Sequence, residues 1–177
     1  MEEKLAIAIQ KAKLIKAAIF DIDGVLTDGK IYFTSEGFEL KAFHSQDGLG
    51  LKMMLKAGIE IAIITARQSE IVNRRMTELG VMHVFQGQEN KLVAYERIKQ
   101  ILGLEDSQVA YTGDDLNDLP LIRRSGLGIA VANATPLLHQ YADLRTLRLG
   151  GAGAAREVCE FILSAQNLLE PIYEQYL

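Results

Sequence analysis

The chain has 177 residues, 49% of them hydrophobic, with a formal net charge of −4 and a pI near 5.4. That length and composition suit one domain with a full core over 1–177 and exclude two ordinary ones. The acidic balance argues against a nucleic-acid binder, which would carry a basic face, and the single cysteine, Cys159, excludes an internal disulfide framework.

The opening stretch "MEEKLAIAIQKAKLIK" is broken by Gln10, Lys11 and Lys13, which makes it a poor signal peptide. Its Leu5, Ile9, Ala12 and Ile15 recur at helical spacing and predict a short helix that packs on the domain. No stretch approaches the roughly 18 unbroken apolar residues of a membrane span. A cytoplasmic protein, engaging neither membrane nor nucleic acid, is the expectation.

From residue 17 onward, short apolar runs alternate with longer amphipathic ones. "AAIF" (17–20), "EIAIIT" (60–65), "VMHVF" (81–85), "QVAYTG" (108–113) and "LGIAVA" (127–132) read as buried strands of a parallel sheet. The segments 46–58, 69–80, 90–103 and 116–126 between them read as helices, several ending in glycine. The pattern predicts an α/β, doubly wound, Rossmann-like sheet with right-handed crossovers. One segment breaks it. "KIYFTSEGFELKAFH" (30–44) holds two alternating runs around Ser35-Glu36-Gly37 and predicts a β-hairpin where a helix would otherwise follow. Its Ile31, Phe33, Phe38, Leu40 and Phe43 need a cover, and a second subunit is the obvious one. Near the end, "GGAGAAREVCEFILSAQNLL" (150–169) predicts a glycine-rich turn and a helix, followed by a tail over about 168–177.

In a parallel α/β sheet, ligands bind beyond the carboxyl ends of the strands. The first strand delivers Asp21 and Asp23, two residues apart and aimed to one side, where they repel unless a cation or a proton intervenes. The second delivers Thr65, with Arg67 after it. Lys91 opens the helix after the third. The fourth delivers "GDDLND", with Asp114, Asp115 and Asp118. The carboxylates make a hard oxygen site suited to Mg²⁺, with no cysteine or histidine cluster in competition. A hydroxyl and a lysine at neighbouring strand ends suit the oxygens of a phosphoryl group, whose charge the metal and lysine would offset during transfer.

"DIDGVLTDG", "IITAR", "NKL" and "GDDLND" resemble, in order and spacing, the four motifs of the haloacid dehalogenase-like phosphotransferase superfamily. The hairpin in place of a cap domain, "KAFHSQDGLG" after it and "GGAGAAREV" near the end are similar to one branch, the 3-deoxy-D-manno-octulosonate 8-phosphate phosphatases of lipopolysaccharide synthesis. The resemblance implies that Asp21 is the nucleophile and forms an aspartyl-phosphate. It implies that Asp23 protonates the leaving sugar oxygen and later takes a proton from water. Thr65 and Lys91 would hold phosphoryl oxygens, and Asp114 would bind Mg²⁺ with Asp21 and the backbone carbonyl of Asp23. Asp118 would orient Lys91, and Asp115 would lie behind the metal or reach it through water. It further implies a homotetramer whose hairpins, with the tails as a further element, cover neighbouring active sites.

Arg67 is the expected reader of a sugar carboxylate, against the alternative that it pairs with Glu70 on the helix surface. Some relatives acting on nine-carbon acidic sugars carry glutamate at this position, so arginine favours the eight-carbon substrate. Two features depart from the branch: Thr65-Ala66-Arg67 stands where Thr-Gly-Arg is usual, and Ala152 where an arginine is common. A receiver-type signalling module would carry its phosphorylated aspartate on a middle strand, and "HVFQG" (83–87) has none. A non-catalytic tetramerising module would be expected to lose a catalytic aspartate, and all are kept.

Overall fold

The computed structural model describes residues 2–177; Met1, the first residue of the opening segment, lies outside them. Along the chain run α1 (Glu2–Ala12), β1 (Ala17–Phe20), β2 (Tyr32–Phe33), β3 (Glu39–Leu40), α2 (Ser45–Lys56), β4 (Glu60–Ile64), α3 (Glu70–Leu79) and β5 (His83–Phe85). Then come α4 (Lys91–Leu102), β6 (Val109–Gly113), α5 (Leu119–Arg124), β7 (Leu127–Ala130), α6 (Pro136–Tyr141), β8 (Leu144–Arg145), α7 (Ala154–Ala165) and α8 (Leu169–Tyr173). Six strands form one parallel sheet in the order β5-β4-β1-β6-β7-β8, while β2 and β3 form a separate antiparallel hairpin. The predicted α/β sheet and hairpin are both present.

The central strands are apolar because helices cover both faces of the sheet. Ile19, Phe20, Ile61, Ile63, Ile64, Tyr111 and Ile129 are all fully buried, with no inside–outside alternation. α1, α2 and α7 pack together as one layer, and α4, α5 and α6 as another. β1 is the switch point: the chain builds outward through β4 and β5 on one side, then returns to β6, β7 and β8 on the other. Register places Phe20 level with Ile63 and Thr112, so the residues just beyond them share one crevice.

Several expectations need refinement. The helix read over 116–126 is a 3₁₀ turn at Leu116–Asp118 followed by α5. β8 and α6 are additional elements. Of the hairpin's apolar residues, Ile31, Phe33, Phe38 and Leu40 are exposed, but Phe43 packs against the core and leaves that patch. The tail folds on its own chain: Ile172 is buried and Tyr173 Oη donates to Glu160 Oε1 on α7 at 2.6 Å.

The late glycine turn is a buttress. A Cβ on Gly150 would come to 1.7 Å from the carbonyl oxygen of Gly24, so only glycine lets this turn press on the loop after β1. Gly151 N then donates to Val25 O at 2.9 Å. Asp47, buried at the start of α2, anchors the other end by accepting from Arg156 N (2.8 Å) and Gly153 N (3.3 Å) at the start of α7. Asp47 is a cap, and burial pushes its pKa upward.

Candidate active site

Asp21 follows β1 directly, and its backbone N–H donates to Thr112 O of β6 at 3.1 Å. That ladder bond fixes the side chain at the strand end. Its Oδ1 accepts from Ile22 N at 2.6 Å, and its Oδ2 accepts from Lys91 Nζ at 2.6 Å. Lys91 stands at the start of α4, behind Asn90, whose side chain caps the helix. It is wholly buried, and its ammonium also donates to Asp118 Oδ1 at 2.6 Å. Burial pulls the lysine pKa down, but Asp21 and Asp118 outweigh it and the net direction is up. Lys91 is a fixed cation at the strand ends.

Asp118 has no oxygen to spare. Oδ1 also accepts from Tyr111 Oη at 2.5 Å, while Oδ2 accepts from Asp114 N (2.9 Å) and Asp115 N (3.2 Å). One ligand atom each from Asp21, Asp114 and Asp118 lie within 4.8 Å of one another. Proximity alone would make Asp118 a metal donor, but these four bonds assign it to orienting Lys91 and the 114–115 backbone.

Asp114 is the opposite case, since its carboxylate accepts no hydrogen bond among the described residues and lies against Gly24. A Cβ there would fall 2.0 Å from Asp114 Oδ2, and Gly24 also has φ +90°. Burial, then the charges of Asp118, Asp21 and Asp115, push Asp114 up to about 7. Burial and Asp118 likewise push Asp21 up to about 6, against the pull of Lys91. A buried and a half-buried carboxylate that resist ionising, the second accepting no hydrogen bond among the described residues, fit a hard divalent cation. The carbonyl oxygen of Asp23, which accepts no backbone hydrogen bond among the described residues, is a third suitable donor in the same loop.

Thr65 stands one residue past β4, buried, with its N–H on Phe85 O (3.0 Å) and its C=O accepting from Gln88 N (3.0 Å). Asp115 is exposed, caps the following 3₁₀ turn through Leu116 N at 2.8 Å, and its charge acts on Asp114.

Asp23 and Arg67 lie together at the mouth, in company the sequence did not announce. Asp23 Oδ1 accepts from Lys41 Nζ, Lys41 lies 3.5 Å from Glu39 Oε1, and Arg67 Nη2 donates to that same oxygen at 2.8 Å. Arg67 Nε closes the ring 3.8 Å from Asp23 Oδ2. Arg67 therefore pairs with Glu39, not with Glu70. Strand alternation was the available signal: in "FELKAF", Glu39 and Lys41 share one face while Phe38 and Leu40 share the other. His44 precedes α2 and lines a small cavity with Leu26, Phe43 and Asp47.

Known proteins share this frame. A family model described as haloacid dehalogenase-like hydrolase matches residues 76–149. The 3-deoxy-D-manno-octulosonate 8-phosphate phosphatase of Escherichia coli (strain K12) is 48% identical over 162 residues, covering 92% of this chain and 86% of that protein. The crystal structure of the Moraxella catarrhalis phosphatase of the same name, in complex with magnesium ion, phosphate ion and KDO, superposes with a TM-score of 0.94. It is 48% identical and covers 96% of this chain and 98% of that one. The cobalt-bound Haemophilus influenzae phosphatase gives a TM-score of 0.88 at 39% identity, covering 90% and 94%. With a strand-end cluster of aspartates around a buried lysine and this likeness over nearly its whole length, the chain belongs to the 3-deoxy-D-manno-octulosonate 8-phosphate phosphatase family of haloacid dehalogenase-like hydrolases.

Proposed function

We propose that this chain is an Mg²⁺-dependent phosphatase that hydrolyses 3-deoxy-D-manno-octulosonate 8-phosphate to the free sugar acid and inorganic phosphate, in lipopolysaccharide inner-core synthesis. The carrying observation is the buried Asp21–Lys91–Asp118 chain beside the carboxylate of Asp114, which accepts no hydrogen bond among the described residues. It supplies a nucleophile, a fixed cation for phosphoryl oxygens and an open hard-metal position at one strand-end crevice.

In this reading Asp21 attacks phosphorus in line and forms an aspartyl-phosphate as the bond to the sugar oxygen breaks. Asp23 gives its proton to that oxygen, then takes one from the water that releases phosphate and restores Asp21. Thr65 and Lys91 bind the phosphoryl oxygens, and Asp118 holds Lys91 in line. Asp21, Asp114 and the Asp23 carbonyl would hold Mg²⁺, which when bound offsets the charge of the phosphoryl group. Arg67, at the mouth, reads the sugar carboxylate.

We further read 1–177 as one domain, with the 30–44 hairpin as its insertion and 168–177 as its tail. The exposed Ile31, Phe33, Phe38 and Leu40 support a homotetramer built on the hairpins, each hairpin covering a neighbour's site. The sole cysteine, buried and with its thiol pKa pushed up by that burial, suits the reducing cytoplasm. The test is a panel of eight-carbon, nine-carbon and neutral sugar phosphates assayed with Mg²⁺ and with chelator. Preference for the octulosonate ester, lost on chelation and in Asp21→Asn, is expected. Comparable rates across the panel reduce the protein to a general phosphatase.

A further inference from the structure

Lys41 has no part in the roles assigned above, yet it is the most enclosed charge at the site mouth. Its side chain is 3% exposed, although it comes from a two-stranded hairpin whose other face is open to solvent. A lysine is hidden to that degree only where carboxylates replace its hydration. Two do: Asp23 Oδ1 accepts from its ammonium, and Glu39 Oε1 lies 3.5 Å away.

This arrangement treats the two oxygens of Asp23 differently. Oδ1 is held by Lys41. Oδ2 is 3.8 Å from Arg67 Nε, too far for a hydrogen bond, and that Nε has no other partner among the described residues. One oxygen is clamped, and the other stays free for a proton in transit. Without the clamp, the nearest cation to Asp23 is Arg67, and the carboxylate would turn toward it. Both the proton carrier and the arginine would then be drawn out of place.

We propose that Lys41 is a positioning residue that aims Asp23 at the leaving oxygen of the substrate, with Glu39 holding the lysine and Arg67 in their places. The inward face of the hairpin is thereby part of its own chain's active site, in addition to any cover its outer face gives a neighbour. The proposal rests on the reading of Asp23 as proton donor. In that step the Asp23 O–H bond breaks, its proton goes to the sugar oxygen, and the phosphorus–oxygen bond to the sugar breaks as the bond to Asp21 forms.

The test uses leaving groups. A sugar alkoxide needs the proton of Asp23 as it departs, whereas nitrophenolate is stable without one. The measure is kcat/KM, which covers the steps up to alcohol release and excludes the later hydrolysis that both esters share. Lys41→Met is expected to lower kcat/KM for the sugar phosphate at least about 10-fold more than for p-nitrophenyl phosphate, part of the 10²–10⁴ that general acid catalysis contributes. Lys41→Arg, which keeps a buried donor, should recover most of that difference. Equal losses on both esters from Lys41→Met, in protein that melts cooperatively, overturn the proposal, because damage to packing or to the phosphate site does not distinguish leaving groups. Asp23→Asn, run in parallel, separates the two readings. If it discriminates between the esters and Lys41→Met does not, the positioning role fails alone; if neither discriminates, the reading of Asp23 fails with it.

Discussion

Lys91 and Asp118, 27 residues apart in sequence, meet at 2.6 Å with both side chains wholly buried. The pair carries more than a charge match, since Asp118 also holds Tyr111 and two backbone amides. Asp118→Ala strands three donors, Tyr111 Oη and two backbone amides, and leaves an ammonium whose remaining carboxylate partner is Asp21. Removing one member of such a buried set costs on the order of 3–5 kcal/mol. Urea unfolding should show a loss of that size, with Asp118→Asn losing less because it keeps an acceptor for Lys91. Turnover should fall in both variants at temperatures where they are folded, since Lys91 is then free to move from Asp21. Full activity in folded Asp118→Ala would show that Lys91 needs no orienting partner.

The metal position has a stability signature whose sign can be worked out. Asp114 is raised in the folded protein from an ordinary value of 3.8 to about 7, chiefly by burial. Between those values the folded state holds more protons than the unfolded one, so its contribution to stability falls as pH rises through the window. Asp114→Asn has no such group. Metal-free wild type and variant should melt alike near pH 4, and the variant should melt about 3 °C or more higher by pH 8. Saturating Mg²⁺ at pH 8 should reverse the order, because only wild type keeps the full donor set. An order unchanged by Mg²⁺ would place the metal elsewhere.

How far the site was legible in the sequence follows from the kind of signal each residue leaves. The apolar runs 17–20, 60–64, 109–113 and 127–130 survive as strands because both faces are buried, which leaves no polar alternation to confuse them. Asp21, Thr65, Lys91 and Asp114 could be found because strand ends in a parallel sheet converge. β8 was illegible: two residues at the sheet edge, half of them exposed, carry no pattern. α8 was hidden by Pro171, which reads as a breaker but sits in the first turn, where its missing N–H costs no hydrogen bond. Alternation puts Glu39 and Lys41 on one face, but that this charged face folds over Asp23 is a fact no local pattern holds.

The proposed assembly draws on the exposed aromatic residues of that hairpin: Phe38 lies on the face opposite Glu39 and Lys41, and Phe33, paired with Glu39, shares theirs. Phe33 and Phe38 are 64% and 67% exposed on a hairpin with two residues per strand, which is marginal in water without a partner. Phe38→Lys, on the outer face, should shift light scattering at micromolar concentration toward smaller species and lower the specific activity, while leaving the melting of the sheet nearly unchanged. A wild-type monomer would refute the tetramer.

Substrate choice is the sharpest test of the mouth, because Arg67, the proposed reader of the sugar carboxylate, is already paired with Glu39. Its side chain is 41% exposed, its Nη2 is on Glu39 and its Nε is buried, which leaves Nη1, without a hydrogen bond among the described residues, for an incoming carboxylate. Arg67→Ala should therefore do two things. It removes a charge-assisted contact, worth roughly 10-fold or more on the octulosonate ester even after solvent screening. It also leaves Glu39 facing the sugar carboxylate with only Lys41 to answer it, and like charges repel. The loss should therefore be larger than the contact alone explains, and adding Glu39→Gln to Arg67→Ala should restore part of the efficiency. p-Nitrophenyl phosphate has no carboxylate, so both variants should act on it nearly as wild type does. Additive effects of the two substitutions, or equal losses on both esters, would show that the sugar acid is read by other residues and that Glu39 and Arg67 merely brace the hairpin.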